Sequence, residues 1–200
     1  MKFPYLFVIL LIANLSGKAQ SATGKVATVD SALSSLKSKK AAIDKYVDAH
    51  KKQMGVFVKA PNKKALIRVY NEKWPEEIEY TYNIIKDKAG KIIYILQTPF
   101  SESGDWDILY EHYFDESGNV FAFFRVESIF DDNVKGGVVR NKLLKYYNKD
   151  FKVVKQNNWL TDTNGGIVKA NANTFNFRGY NYTIYKNLAE CLKGYNIKAF

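Results

Sequence analysis

Three carboxylates and a histidine form the one group in this chain that could carry out chemistry: Glu102, Asp105 and Asp107 flank Trp106 in a Ser/Gly-containing stretch, and His112 follows shortly after. Two carboxylates can serve as acid and base in sugar cleavage, and imidazole is the commonest general base. The same acids invite a calcium ion, but their spacing lacks the alternate-position oxygens, central Gly and terminal Glu of a calcium loop. A solvated acidic loop beside a packed tryptophan is the simpler reading. Strict strand alternation gives His112 the face of Tyr110 and Phe114, which packs it among aromatics. The other histidine, His50, falls on the apolar side of a helical stretch, a structural position.

Other catalytic arrangements are missing. There is no Gly-x-Ser-x-Gly elbow, Gly136-Gly137 runs into Val138 without a P-loop ending, and no Gly-x-Gly-x-x-Gly occurs. Cys191 is the sole cysteine, which excludes an intramolecular disulfide and a zinc site of clustered thiolates. It reads as a small buried hydrophobe. No catalytic residue, metal or cofactor is therefore expected. A secreted hydrolase-like enzyme built on Glu102, Asp105, Asp107 and His112 stands as the alternative.

Aromatic residues are the remaining signal, with fourteen Tyr, thirteen Phe and three Trp. The strand-like stretches holding Tyr80, Tyr82 and Tyr110 carry more tyrosine than a core needs, since each buried phenol requires a partner. With Trp106 nearby, an aromatic sheet face suits a peptide, glycan or apolar ligand. Tyr80, Tyr82, Trp106 and Tyr110 are accordingly the expected ligand-binding residues of a non-enzymatic binding protein. An inhibitor or immunity-type partner of another protein is a further reading.

The elements that must position these residues follow from periodicity. Val29 to Met54 reads as an amphipathic helix, with Asp30 or Ser31 to cap it and Gly55 to end it. Lys40 falls in its apolar stripe and must snorkel or meet a carboxylate, which the acidic centre of the chain would supply. From Ala65 the period becomes strand-like. Leu66 to Tyr70 is a short apolar run, and Ile78, Tyr80, Tyr82 and Ile84 alternate with polar residues. A turn at Asp87 to Gly90 leads back through Lys91 to Gln97. A second hairpin, Asp107 to Phe114 and Asn119 to Phe130, turns at Asp115 to Gly118. In its return strand Val120, Ala122, Phe124 and Val126 are expected on one face, and Phe121 and Phe123 on the other. A strand apolar on both faces belongs inside a sheet that is covered twice.

These Tyr-x-x-(x)-Asp-x-x-Gly hairpins resemble the turns of bacterial Tyr-Asp hairpin repeats, but hairpin geometry alone demands such a turn, so the resemblance implies no function. Val138 to Tyr147 and Phe151 to Asn157 suggest a third hairpin, with Lys142 to Tyr147 open to a helical turn instead. Asp162 to Gly166 is a turn, and Ile167 to Tyr180 an Asn-rich loop with a short edge strand. Tyr185, Leu188, Leu192 and Tyr195 repeat at helical spacing, with Gly194 placed to stop the helix. The expected fold is α+β: an antiparallel meander of hairpins with an N-terminal and a C-terminal helix packed on the sheet.

Charge and address complete the reading. Residues 1–19 combine Lys2, an apolar run from Phe3 to Leu15 and small residues Gly17 and Ala19, which is the pattern of a cleaved export signal. A periplasmic or secreted product is expected, with residues 20–200 as one domain, no membrane span and a monomeric state. The net charge of +10 is unevenly spread. Gln20 to Arg68 holds eleven Lys/Arg against three Asp, Asn71 to Asp132 fourteen Asp/Glu against five Lys/Arg, and Asn133 to Phe200 twelve Lys/Arg against three acids. An acidic centre between basic ends suits internal attraction, and only four of thirty cations are Arg, which argues against nucleic acid as a partner.

Overall fold

The computed structural model describes residues 22–198, with side chains from Asp30 onward, so the export signal expected at residues 1–19 lies outside the described residues. Among the described residues eight strands form one antiparallel sheet: β1 (Gly55–Lys59), β2 (Ile67–Arg68), β3 (Tyr80–Lys86), β4 (Ile92–Pro99), β5 (Trp106–Phe114), β6 (Val120–Phe130), β7 (Val138–Tyr147) and β8 (Val153–Thr161). Their spatial order is β2-β1-β3-β4-β5-β6-β7-β8. With helices α1 (Ala22–Ala49) and α2 (Leu188–Gly194), the chain is α+β.

From β3 to β8 the strands follow one another as a meander, which breaks at its start. β1, absent from the periodicity reading, lies between β2 and β3, so the chain passes from β2 to β3 across it. Gly-Val-Phe-Val-Lys is a strand-forming run bounded by Gly55 and by the Pro61-Asn62 turn, where Asn62 has a φ of 59°. That pull into the sheet also ends α1 early. The helix stops at Ala49, a 3-10 turn follows at Lys51–Gln53, and Met54 is already extended. At the other end α1 begins at Ala22, seven residues before the expected start at Val29, and runs through Gly24.

The three long hairpins share one hydrogen-bond scheme. In each, an Asp or Asn carboxamide or carboxylate oxygen accepts from main-chain N–H groups two and four residues on, as Asp87 does from Ala89 and Lys91, both at 2.9 Å. Asp115 and Asn148 repeat it. The fourth position needs a positive φ, which Gly90 and Gly118 supply freely; at the third turn Phe151 takes it, at 60°, and stacks on Tyr147 at 4.5 Å. This hairpin makes Lys142 to Tyr147 strand and removes the helical alternative.

Each hairpin also carries a bulge in its return strand, three residues past the turn. In β6 the pairs Phe114–Val120 and Tyr113–Ala122 leave Phe121 as the extra residue. Phe121 therefore joins Ala122 on one face, while Val120 and Phe123 lie on the other. The expected alternation, with Phe121 and Phe123 together, fails for that reason.

The sheet is covered on both sides. One face, here called the helix face, packs Ile85, Tyr94, Tyr113, Phe121, Ala122 and Tyr146 under Ile43 of α1. The opposite, cover face packs residues of β1 and β3–β8 under the segment from Val168 to Ile197. That segment is irregular except for a 3-10 turn at Ala172–Thr174 and α2; Ile167 forms only an isolated bridge with Thr161, so the expected edge strand does not develop. Asn187 caps α2 by accepting from Glu190 N–H at 2.9 Å. Gly194 is the last residue of α2 and does not stop it by a left-handed turn. It is glycine because the Tyr185 hydroxyl occupies the place of a β-carbon, and the left-handed residue is Asn196, at a φ of 55°.

Candidate functional site

Sheet geometry sends the acidic stretch and His112 to different places. Along β5 the residues Trp106, Ile108, Tyr110, His112 and Phe114 face the cover, and Asp107, Leu109, Glu111 and Tyr113 face the helix. Glu102, Asp105 and Asp107 are exposed. Asp105 accepts from the Ser103 hydroxyl and pairs with Arg178 at 3.4 Å, and these contacts, the serine's foremost, hold its carboxyl below the usual range. His112 is wholly buried, with ring contacts to Phe114, Phe123, Tyr185 and Tyr195. Its Nε2 accepts from Tyr185 N–H at 3.4 Å, and Nδ1 meets no partner at hydrogen-bonding geometry. Burial, opposed by the Thr183 backbone, pushes its pKa down to about 3, so the ring is neutral. The four residues are not brought together. His50 stacks on Tyr46 at 3.9 Å beyond the end of α1, its Nδ1 2.7 Å from the Tyr46 carbonyl oxygen.

The expected aromatic surface is covered. Tyr82, Trp106 and Tyr110 are 4, 8 and 2 % exposed, and Tyr80 is half-buried against the same core. The chain supplies its own aromatic partners: Tyr180 lies 5.1 Å from Trp106, Tyr182 stacks on Tyr110 at 5.2 Å and on Phe123 at 5.6 Å, and Tyr195 lies 4.9 Å from Tyr82. These tyrosines come together as predicted from alternation, but as a floor under the C-terminal segment and not as an open surface. Cys191 is fully buried in the same core, and burial pushes its thiol pKa up, as a packed hydrophobe requires.

No protein-family model matches the chain, and no curated protein or solved structure is significantly similar to it. The site must therefore be found from its geometry.

Beneath α1 lies a cluster of charged and phenolic side chains that contact one another. Lys40 pairs with Asp44 at 2.8 Å within the helix, and its ammonium stands 4.3 Å from the Tyr113 ring centre and 5.1 Å from that of Phe124. The carboxylate expected from the sheet thus comes from the helix itself, and the sheet contributes aromatic faces. Tyr113 donates to Asp44 Oδ1 at 2.8 Å and also contacts Glu111 Oε2. A phenol has one proton, so the Tyr113 hydroxyl serves the two carboxyl groups in competition. Burial raises the Glu111 pKa, against the Tyr113 hydrogen bond and the charge of Lys40. The group clamps α1 to the sheet.

Next to this clamp, the middle of α1, from Ala32 to Lys39, and the turns Asp115–Gly118 and Asn148–Phe151 border a groove of about 530 Å³. Leu33, Leu36, Val120, Phe121, Tyr147 and Val154 form its walls, and Lys39 and Lys149 stand at its rim. Lys39 is engaged with Glu116 at 2.8 Å; Lys149 is exposed and makes no ion pair among the described residues. Sequence reasoning missed this site because its walls come from three distant segments. The bulge that turns Phe121 toward α1 leaves no mark in the sequence period. Among the described residues no group of three or more His, Cys, Asp or Glu is placed to hold a metal, and no helix is long and apolar enough to cross a membrane.

Proposed function

We propose that this is an exported, non-enzymatic binding protein that takes a compact apolar ligand with an anionic head into the groove between α1 and the β5–β6 and β7–β8 turns. One observation carries the reading: this groove has apolar walls and no segment of the described chain within it, whereas the aromatic face first suggested by the sequence is filled by the chain's own tyrosines. Its volume lies within the roughly 300–1,000 Å³ of small-molecule sites, and a few convergent polar groups on an apolar wall are their usual composition. Lys149 lines the groove, makes no ion pair among the described residues and can meet the head group. The export signal read at residues 1–19 supports the compartment. The separation of His112 from Glu102, Asp105 and Asp107 favours binding over hydrolysis.

Decanoate is the test ligand, followed by calorimetry and by amide shifts in ¹⁵N-labelled protein. Saturable binding is expected, with shifts confined to Leu33–Lys39, Phe121 and the turn from Asn148 to Val154. Leu36→Trp fills the groove and should weaken binding roughly ten-fold or more, while Lys149→Ala should cost a smaller factor. Scattered shifts, or unchanged affinity in Leu36→Trp protein that retains its circular dichroism, would overturn the proposal.

A further inference from the structure

The two edges of the sheet differ in length and in cover. β2 is two residues long, too short to template another strand, whereas β8 runs for nine residues and has a strand neighbour on one side only. Val153 to Asn158 are all exposed. The direction of the free main-chain groups follows from one hydrogen bond: the Leu160 carbonyl accepts from Val168 N–H at 3.0 Å, on the side away from β7. Alternation points the N–H and C=O groups of Asn158 and Gln156 the same way, while those of Asn157 and Trp159 turn toward β7. Natural sheets usually blunt such an edge by cover, proline or shortness. Here the cover ends at the bridge between Thr161 and Ile167, no proline occurs in the strand, and the bulge at Val154 lies at its far end.

The charge around this edge is predominantly positive. Lys142 and Lys145 on β7 stand across from Trp159 and Gln156, Lys149 and Lys152 flank the turn, Lys155 is on β8 and Lys169 follows the bridge. None of the six makes an ion pair among the described residues. The nearby acids in sequence are Asp150 and Asp162, and Asp162 spends Oδ1 on the N–H groups of Asn164 and Gly166. Burial, with the charge of Arg140 adding to it, lowers the Lys142 pKa. A second copy pairing along the same edge would bring two such lysine sets together, which is repulsive. An acidic strand meets the opposite field.

We propose that β8 is a docking edge for an extended acidic segment of a partner protein, which adds to the sheet as a ninth, antiparallel strand on Gln156 and Asn158, up to the point where Val168 occupies Leu160, and sets carboxylates within reach of Lys145, Lys152 and Lys155. Main-chain hydrogen bonds supply the docking, and the lysines select the partner's charge. This is independent of the groove beneath α1.

The probe is the capped peptide Thr-Glu-Val-Glu-Thr-Glu-Val-Glu-Thr, titrated into ¹⁵N-labelled protein at about 20 mM and about 200 mM salt. Binding is expected to shift the amides of Gln156 to Leu160 and to weaken roughly ten-fold or more at the higher salt. A peptide of the same charge, N-methylated at the residues that pair with β8, should lose binding by at least a similar factor, and a lysine-for-glutamate peptide should not bind. Gln156→Pro removes an N–H that points to the free edge and leaves the β7 ladder intact, so it should abolish docking in folded protein. Lys152→Glu with Lys155→Glu should reverse the preference toward the lysine peptide. Equal affinity for the N-methylated peptide would mean charge capture without a strand and would overturn the proposal. So would shifts elsewhere, no saturation at low salt, or self-association through β8 in peptide-free protein. If Gln156→Pro fails to fold, the N-methylated peptide still decides.

Discussion

The two faces of one sheet are closed by different means. The cover face is sealed by an irregular segment whose aromatic rings interleave with those of the strands, with scattered hydrogen bonds between them, among them Gly179 N–H to Glu127 at 3.2 Å, Tyr185 N–H to His112, Val168 N–H to the Leu160 carbonyl, and the Val120 and Leu188 N–H groups to the Lys186 and Gly118 carbonyls. The helix face is closed by a regular helix over only part of its area and is fastened by the polar clamp of Lys40, Asp44, Glu111 and Tyr113. Packing without periodic structure can therefore bury a surface more completely than a helix does. The helix leaves room at its flanks, and the groove opens there.

The strongest test of this contrast lies on the cover face. Phe123 is fully buried between Tyr182 and His112, so Phe123→Ala should cost about 3–5 kcal/mol in chemical denaturation. A loss under about 1 kcal/mol would mean that the C-terminal segment does not seal that face in solution. On the helix face Tyr113→Phe removes the hydroxyl between Asp44 and Glu111, and a loss of about 1–3 kcal/mol is expected. A neutral result would show that α1 docks by apolar contact alone.

Acid distinguishes the faces by sign. His112 titrates near 3 in the folded chain and at its ordinary, higher value when unfolded, so stability should fall as pH drops through 6.5 toward 3, by about 1.4 kcal/mol per unit at most. Glu111 has a raised folded pKa, so its contribution is present below the unfolded carboxyl value and is lost as pH rises through the folded one. Glu111→Gln should flatten the second slope without touching the first, as measured by denaturant midpoints across pH. The smallest effect belongs to the exposed pair of Lys39 and Glu116: Glu116→Gln should change stability by less than about 1 kcal/mol, and less still at high salt.

Much of the meander could be read in advance because its hairpins are local: Asp87, Asp115 and Asn148 each organise a turn from within five residues. The packing of His112 among aromatics was legible for the same reason, since alternation assigns a face. What alternation cannot supply is the identity of whatever lies above that face. Tyr80, Tyr82, Trp106 and Tyr110 were rightly grouped on one side, but Tyr180, Tyr182 and Tyr195 come from roughly seventy to over a hundred residues further along, and no local spacing relates them. β1 escaped for a related reason: its partners are β2 and β3, and its own five residues offer only a short apolar run. Phe121 was misplaced because a bulge shifts the face of a residue without altering the sequence period.

The position of Ile197 in the buried core bears on how this molecule is made. A chain growing from its N-terminus can pair β3 with β4 and β5 with β6 as each hairpin emerges, since these contacts are close in sequence. The aromatic floor of the sheet must then wait, uncovered, until residues 180–197 have been synthesised. During that interval the nascent protein presents an uncovered aromatic sheet that a chaperone can hold, and the arrival of residues 180–197 releases it.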